Sequence, residues 1–394
     1  MHNTAYIAGC GLVTSIGYTV SENLASLKAS RAAIGLPEWL STRHQLPVGE
    51  VKLSNEALAA RTGADARLPR TALLSILAAQ EAWLPLAGKA TGLRIAFISA
   101  NTVGGMDLTE SFYASFNEDR QTGDLNMVRH HECGAITERT TQALGLHCWS
   151  TTISTACSSS ANSIMMGAKL IRNGQYDIVI AGGADSLSRF TLNGFNSLMI
   201  LDKELCRPFD EHRRGLNLGE GAAYLVLAGE KAMQQLGSHA GAAVSGYANA
   251  NDAHHQTASS PEGKGNQLAM RQAIAQAGIA PKDISYINLH GTGTENNDAS
   301  EGAAVQAVFE QVPPASSTKA FTGHTLAAAG AVEAVFSLLS LQEQICLPHL
   351  RMNTSMTSLN WQPVTTLQAM PVKHVLSNSF GFGGNCSSLV LSAV

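Results

Sequence analysis

The chain is short of charge. Only 14 % of its 394 residues are Asp, Glu, Lys or Arg, against roughly 25 % in an average globular protein. The net charge is −4 and no long basic run occurs, so nucleic-acid binding has no electrostatic support. There is no stretch of 18 apolar residues, which speaks against a membrane span. The start, MHNTAYIAGCGLVTSIG, lacks a basic leader region and reads as a strand and turn rather than a signal peptide. Seven cysteines are present (Cys10, Cys133, Cys148, Cys157, Cys206, Cys346, Cys386). The odd number and the lack of a CxxC pair argue against a disulfide framework or a structural zinc site. A reducing cytoplasm is the expected location.

With hydrophobic residues at 45 %, the chain can bury a large core and offer a wide subunit interface. Strand-like and helix-like stretches alternate. TAYIAGCGLV, LRIAFISA, YDIVIAGGADS and AAYLVLAGE read as buried strands. RTALLSILAAQEAWLPLAG, SSSANSIMMGAKLIRNG and GNQLAMRQAIAQAGIAP read as helices, the last two stopping at Gly. This predicts an α/β fold with mostly parallel, buried sheets. The order of elements then recurs: AAVSGYANAND, a helix, SYINLHGTGTE, and a closing SNSFGFGGNCSSLVLSAV. The expected division is 1–240 and 241–394, without a flexible linker.

Three residues stand out chemically. Cys157 ends a β-type run in TTISTACSSSANSI, and a helix starts directly after it. A helix N-terminus lowers a thiol's pKa, and such a corner presents a nucleophile at the carboxyl end of a sheet. The competing reading is a buried structural cysteine. His290 (INLHGTGTEN) and His324 (KAFTGHTLAAAGAVEA) each follow a strand or turn, where a side chain can face a cleft. With Cys157 they form a candidate set of nucleophile and base or oxyanion donors. The adjacent pairs His130–His131 and His254–His255 point apart and seldom chelate one metal, so no metal site is expected. NSFGFGG reads either as a ligand-facing backbone or as a plain tight turn. GTGTEN lacks GxGxxG spacing and the P-loop Lys, so it is not a nucleotide fingerprint.

Taken together, STACSSSANSI, DIVIAGGADS, RPFDEHRRGLNLGEGAA, NDAHHQTASSPEG, NLHGTGTENND, TKAFTGHTLAAAGAVEA and NSFGFGGN resemble the β-ketoacyl–acyl carrier protein synthases of the elongating group, within the thiolase-like superfamily. The resemblance runs from about residue 4 to 392. It implies two similar halves stacked as α/β/α/β/α layers, and a dimer, either homodimer or heterodimer with a related subunit. It implies that Cys157 holds the acyl chain as a thioester while His290 and His324 hold a malonyl thioester carbonyl during decarboxylation. Backbone N–H groups of Cys157 and Phe382 would hold the second oxyanion. Lys319 and Glu333 match the family's ion pair, Phe380 and Phe382 its gate, and Thr292 and Thr294 its phosphopantetheine-binding threonines. No cofactor is implied beyond the phosphopantetheine of acyl carrier protein.

The relatives to be set aside are a thiolase, which would use a second cysteine such as Cys386, and a non-catalytic chain-length-factor subunit, which would lack the nucleophile. Ala327, Arg214, Leu216–Asn217 and Glu295 depart from the usual motif residues and point to a specialised branch, such as polyene or other secondary-pathway synthesis. Arg67 and Arg70, on one face if a helix begins there, are the expected docking site for acidic carrier protein, with Arg61 and Arg129 as further candidates. Met106 and residues near His131–Ile136, across a dimer contact, are expected to contribute to the tunnel floor.

Overall fold

The computed structural model describes residues 4–238 and 241–394. The expected boundary at residue 240 lies outside the described residues. Ten strands among the described residues form one sheet: β1 (Ala5–Thr14), β2 (Ile95–Ala100), β3 (Trp149–Ile153), β4 (Ile178–Asp185), β5 (Gly221–Ala228), β6 (Ala242–Asn251), β7 (Tyr286–Asn288), β8 (Ala315–Ser316), β9 (His374–Gly381) and β10 (Asn385–Ala393). Their order is β3-β2-β4-β5-β1-β6-β10-β9-β7-β8. Counted within each half, the order from edge to seam is third, second, fourth, fifth, first in both. The recurrence of elements is therefore a recurrence of topology. The halves meet where Ala5 and Tyr6 pair with Val244 and Ala243.

The sheet is mixed rather than mostly parallel. β2 runs parallel to β3 and β4, and β7 parallel to β8 and β9. β5 and β10 run against both of their neighbours. For β10 the reason is local, because only the turn Phe382–Gly384 separates it from β9, and so short a link closes an antiparallel hairpin. β4 and β5 are buried along their whole length, which accounts for runs of apolar residues without alternation.

Five helices define the layers: α1 (Arg70–Ala87), α2 (Ser159–Arg172), α3 (Lys264–Gln276), α4 (Glu295–Val308) and α5 (Ala329–Glu343). α1 covers the outer face of β1, β4 and β5, and α3 covers β6, β9 and β10. α2 and α5 lie between the two half-sheets and touch strands of both. The result is a thiolase-like α/β/α/β/α stack. The small residues explain how two helices share the middle layer. A Cβ on Gly330 would come within 2.7 Å of the Ala161 backbone nitrogen, and the Ala331 N–H donates to Ser160 Oγ at 2.8 Å. The stretch Leu326–Glu343 is long and apolar enough to cross a membrane, but 89 % of it is buried inside the protein, as for a core helix. Full burial of each Leu, Val or Phe there is worth about 1.5–3 kcal/mol.

Candidate active site

The nucleophile corner is built by residues 153–159. β3 ends at Ile153, earlier than the β-type run suggests. Ala156 then turns through φ +53°, a left-handed conformation that costs a residue with a Cβ about 1–2 kcal/mol. Ser159 closes the corner, its Oγ accepting the Thr155 N–H at 2.8 Å. Gly381 lies against it: a Cβ there would stand 3.1 Å from the Cys157 nitrogen. The NSFGFGG segment is thus both a hairpin turn and part of the site.

Cys157 is buried, with Sγ 3.0 Å from His324 Nε2. The N–H groups of Phe382 and of Cys157 itself face the sulfur. Burial pushes the thiol up to about 11, against the Lys319 charge and those two N–H groups. This corrects the expectation of a depressed pKa. The helix N-terminus is present, but complete desolvation of the charged form outweighs it.

His290 follows β7. Its own N–H and that of Gly291 donate to the two oxygens of Glu301 at 2.9 and 2.8 Å. Its Nδ1 lies 3.2 Å from Lys319 Nζ. His324 is held from both sides by the 216–219 segment, its N–H donating to Asn217 O and its carbonyl accepting from the Gly219 N–H. Leu326 N–H donates to His324 Nδ1 at 3.2 Å. The two rings are edge to face, 5.4 Å apart. Burial and the Lys319 charge hold both imidazoles well below their ordinary value, so both are neutral near pH 7.

The tautomers follow. A neutral imidazole whose Nδ1 accepts a hydrogen bond carries its proton on Nε2. Leu326 N–H can only donate, and so can the Lys319 ammonium. Both histidines therefore carry their proton on Nε2, and His324 turns that donor towards the sulfur. Cys157, His290 and His324 have ligand atoms within 4.8 Å of one another, the composition of a metal trio. The hydrogens on both inward nitrogens and the adjacent Lys319 cation oppose metal ligation.

Lys319 is buried and bonded to Glu333 and to the His290 carbonyl. A cleft of about 290 Å³ opens over the cysteine, lined by both histidines, Thr292, Thr294, Phe380 and Phe382. Thr292 and Thr294 lie side by side, hydroxyls 3.0 Å apart. Phe382 is half-buried and stacks on Phe195 at 5.9 Å. Phe380 is buried, 6.1 Å from the His290 ring. It lies near the end of β9, paired with Cys386.

Other expectations are redirected. Arg70 is buried, bound through Nε and Nη2 to Glu220, with further donations to the Val51 and Leu53 carbonyls. It is unavailable for docking. Arg67 lies in the turn before α1, not on its face, and is exposed and clasped by Asp65. Arg129 is exposed, and Arg61 is exposed against the Tyr18 ring. None of these lines the cleft, whereas Arg214 does. Met106 lies outside the cleft lining, packed in an apolar cluster with Val103, Leu192 and Leu326. Cys386 is buried with Sγ on Asn266, away from the cleft, which removes the basis for a thiolase pair.

The sequence reading passed over Asp185, Asp298, Glu301, Phe195 and Met199. Asp298 and Glu301 stand three residues apart after HGTGT, on one face of α4. That spacing of acids on a buried face was the available signal.

Fold and site define a thiolase-like protein with a buried cysteine faced by two histidines. The family model "Beta-ketoacyl synthase, N-terminal domain" matches residues 4–232, and its C-terminal counterpart matches 241–353. The chain belongs to the β-ketoacyl synthase family. It is 37 % identical over 246 residues to the 3-oxoacyl-[acyl-carrier-protein] synthase 2 of Staphylococcus aureus, an alignment covering 60 % of this chain and 61 % of that protein. The match thus spans about three-fifths of that curated relative's length. Among solved structures, the ishigamide ketosynthase/chain length factor superposes with TM-score 0.93 at 28 % identity, covering all of both chains. A ketosynthase in complex with its chain length factor from Xenorhabdus doucetiae gives 0.87 at 31 % identity, over 100 % of this chain and 98 % of that one.

Proposed function

We propose that this chain is a condensing enzyme that joins a malonyl unit, carried on the phosphopantetheine of acyl carrier protein, to an acyl chain held on Cys157. The observation that carries the reading is the fixed pair of Nε2–H donors aimed at the space over the thiol. In the first half-reaction Cys157 gives its proton to solvent and the minority thiolate attacks the carrier's acyl thioester, whose leaving thiolate takes up a proton in turn. The oxyanion sits on the N–H groups of Cys157 and Phe382, and the carrier thiol leaves. In the second, the malonyl thioester oxygen accepts from His290 and His324. The bond to the malonyl carboxylate breaks, carbon dioxide leaves, and its electron pair enters the enolate. The enolate carbon attacks the Cys157 thioester, and collapse of that intermediate returns the thiolate. Neither histidine gains or loses a proton. Donors placed where negative charge develops are each typically worth about 3–4 kcal/mol.

Thr292 and Thr294 would bind the pantetheine arm, and no further cofactor enters the scheme. The partners are acyl carrier protein, approaching over exposed Arg67, Arg129 and Arg214, and a second copy or a related subunit. The solved neighbours named as ketosynthase and chain length factor pairs favour the related subunit, and a secondary pathway. The intact Cys157 and histidine set makes this chain the catalytic member rather than the chain length factor. Seven free thiols suit a reducing cytoplasm.

The test is intact mass after incubation with acyl-loaded carrier protein. A gain equal to the acyl group, absent in Cys157→Ala and discharged by malonyl carrier protein with carbon dioxide release, is expected. A thiol that stays free with every chain length, alone and with candidate partner subunits, would overturn the reading.

A further inference from the structure

Behind His324 lies a buried carboxylate that the scheme above does not use. Asp185 is the last residue of β4 and is fully buried. Among the described residues no cation pairs with it. Its Oδ1 accepts the N–H groups of Thr102 at 2.9 Å and Val103 at 3.2 Å. Its Oδ2 accepts the Thr102 hydroxyl at 2.6 Å and the Ala327 N–H at 2.8 Å. Burial raises it to about 6 despite the four donors. A charge kept in so dry a place, with no counter-ion, is costly to the fold. Its hydrogen bonds join the turn after β2 to the turn carrying His324, where Val103 and Leu326 also share an apolar cluster.

The second of these is the informative one. Ala327 is the neighbour of Leu326, whose N–H fixes the His324 tautomer. Leu326 itself stands at φ +52°, a conformation that a leucine holds only when its surroundings impose it. We propose that Asp185 is a positioning residue for His324: by anchoring the Ala327 N–H it imposes the Leu326 turn, which keeps a donor on Nδ1 and the Nε2–H on the Cys157 sulfur. The carboxylate touches no reacting atom. It acts through two backbone links and one ring.

Asp185→Asn discriminates sharply. An amide has one accepting oxygen, which the Thr102 and Val103 N–H groups occupy. The amide NH₂ then faces the Thr102 hydroxyl, which can rotate to accept, and the Ala327 N–H, which cannot. The substitution therefore breaks the one link that matters. The consequence for catalysis rests on the condensing reading of the site, but the first readout does not.

That readout is the rate at which iodoacetamide alkylates Cys157 at pH 8, followed by intact mass. Losing an aligned Nε2–H disfavours the thiolate, so Asp185→Asn is expected to react about tenfold more slowly, one charge-assisted hydrogen bond's worth. Mere removal of a nearby negative charge has the opposite sign and would speed the reaction. In a His324→Ala background the same substitution is expected to cause no further slowing. An unchanged or faster rate, or equal slowing without His324, overturns the proposal. Asp185→Glu keeps the charge but moves the carboxylate by a methylene. It is expected to slow alkylation too, and it decides the matter should the Asn variant fail to fold. Decarboxylation of malonyl carrier protein is then measured on the same samples. If alkylation behaves as expected while wild-type protein, alone and with candidate partner subunits, releases no carbon dioxide, the condensing reading falls and the placement of Asp185 stands.

Discussion

Replacing Arg70 by Met separates a docking role from a structural one. The guanidinium reaches Glu220 through Nε at 2.9 Å and Nη2 at 2.6 Å, and donates to Val51 O at 2.8 Å and Leu53 O at 2.9 Å. Glu220 in turn accepts the Val51 and Leu187 N–H groups. Without Arg70 a carboxylate is left buried and without its cation. Breaking a buried pair on one side in this way typically costs about 3–5 kcal/mol.

Urea unfolding followed by tryptophan fluorescence, wild type against Arg70→Met at pH 7, measures the loss. Arg70→Met/Glu220→Gln removes both charges of the pair and is expected to regain most of the loss. A variant as stable as wild type at pH 7, with a raised KM for carrier-bound substrate, would refute this assignment and restore Arg70 to the docking surface.

Three further outcomes are expected. Because burial sets the Cys157 thiol at about 11, its alkylation rate should climb about tenfold per pH unit from 7 to 9; a plateau near neutrality would mean a preformed thiolate. Lys319→Met frees His290 Nδ1 from its donor and should lower malonyl decarboxylation about 10²–10³-fold, whereas acylation of Cys157 should persist in mass spectra; equal loss of both steps would count against the tautomer argument. Met199 sits at φ +57° and is 87 % exposed at the cleft, so Met199→Gly should raise stability by up to about 1 kcal/mol in urea, and a destabilised variant would show that the side chain has packing partners.

The sequence carried the nucleophile and both histidines because each sits at a junction between a strand or turn and a small-residue helix, and such junctions are written locally. It carried the repeat for the same reason. It did not carry strand direction: β5 is reached through a long excursion over the site, and nothing in AAYLVLAGE states which way it runs. Arg70 was misplaced because its partner, Glu220, is 150 residues away and a basic residue beside a helix start looks solvated until that partner is known. Asp185 was hidden in the same way, at the end of a strand whose apolar run explains itself without it. The resting thiol was misjudged because a helix start is visible in sequence and depth of burial is not.

Cys157 precedes α2 and His324 precedes α5, and those two helices hold the same place in the two halves of a repeated topology. Their first turns touch, Gly330 against Ala161 and Ala331 on Ser160. The reacting centre is therefore one structural corner brought face to face with its own counterpart, one copy supplying the sulfur and the other the hydrogen that faces it. Neither copy holds a complete site. The 3.0 Å between sulfur and imidazole is also a measure of how the two halves are seated, so a substitution anywhere along that central helix contact is felt at the chemistry, however far it lies from the cleft.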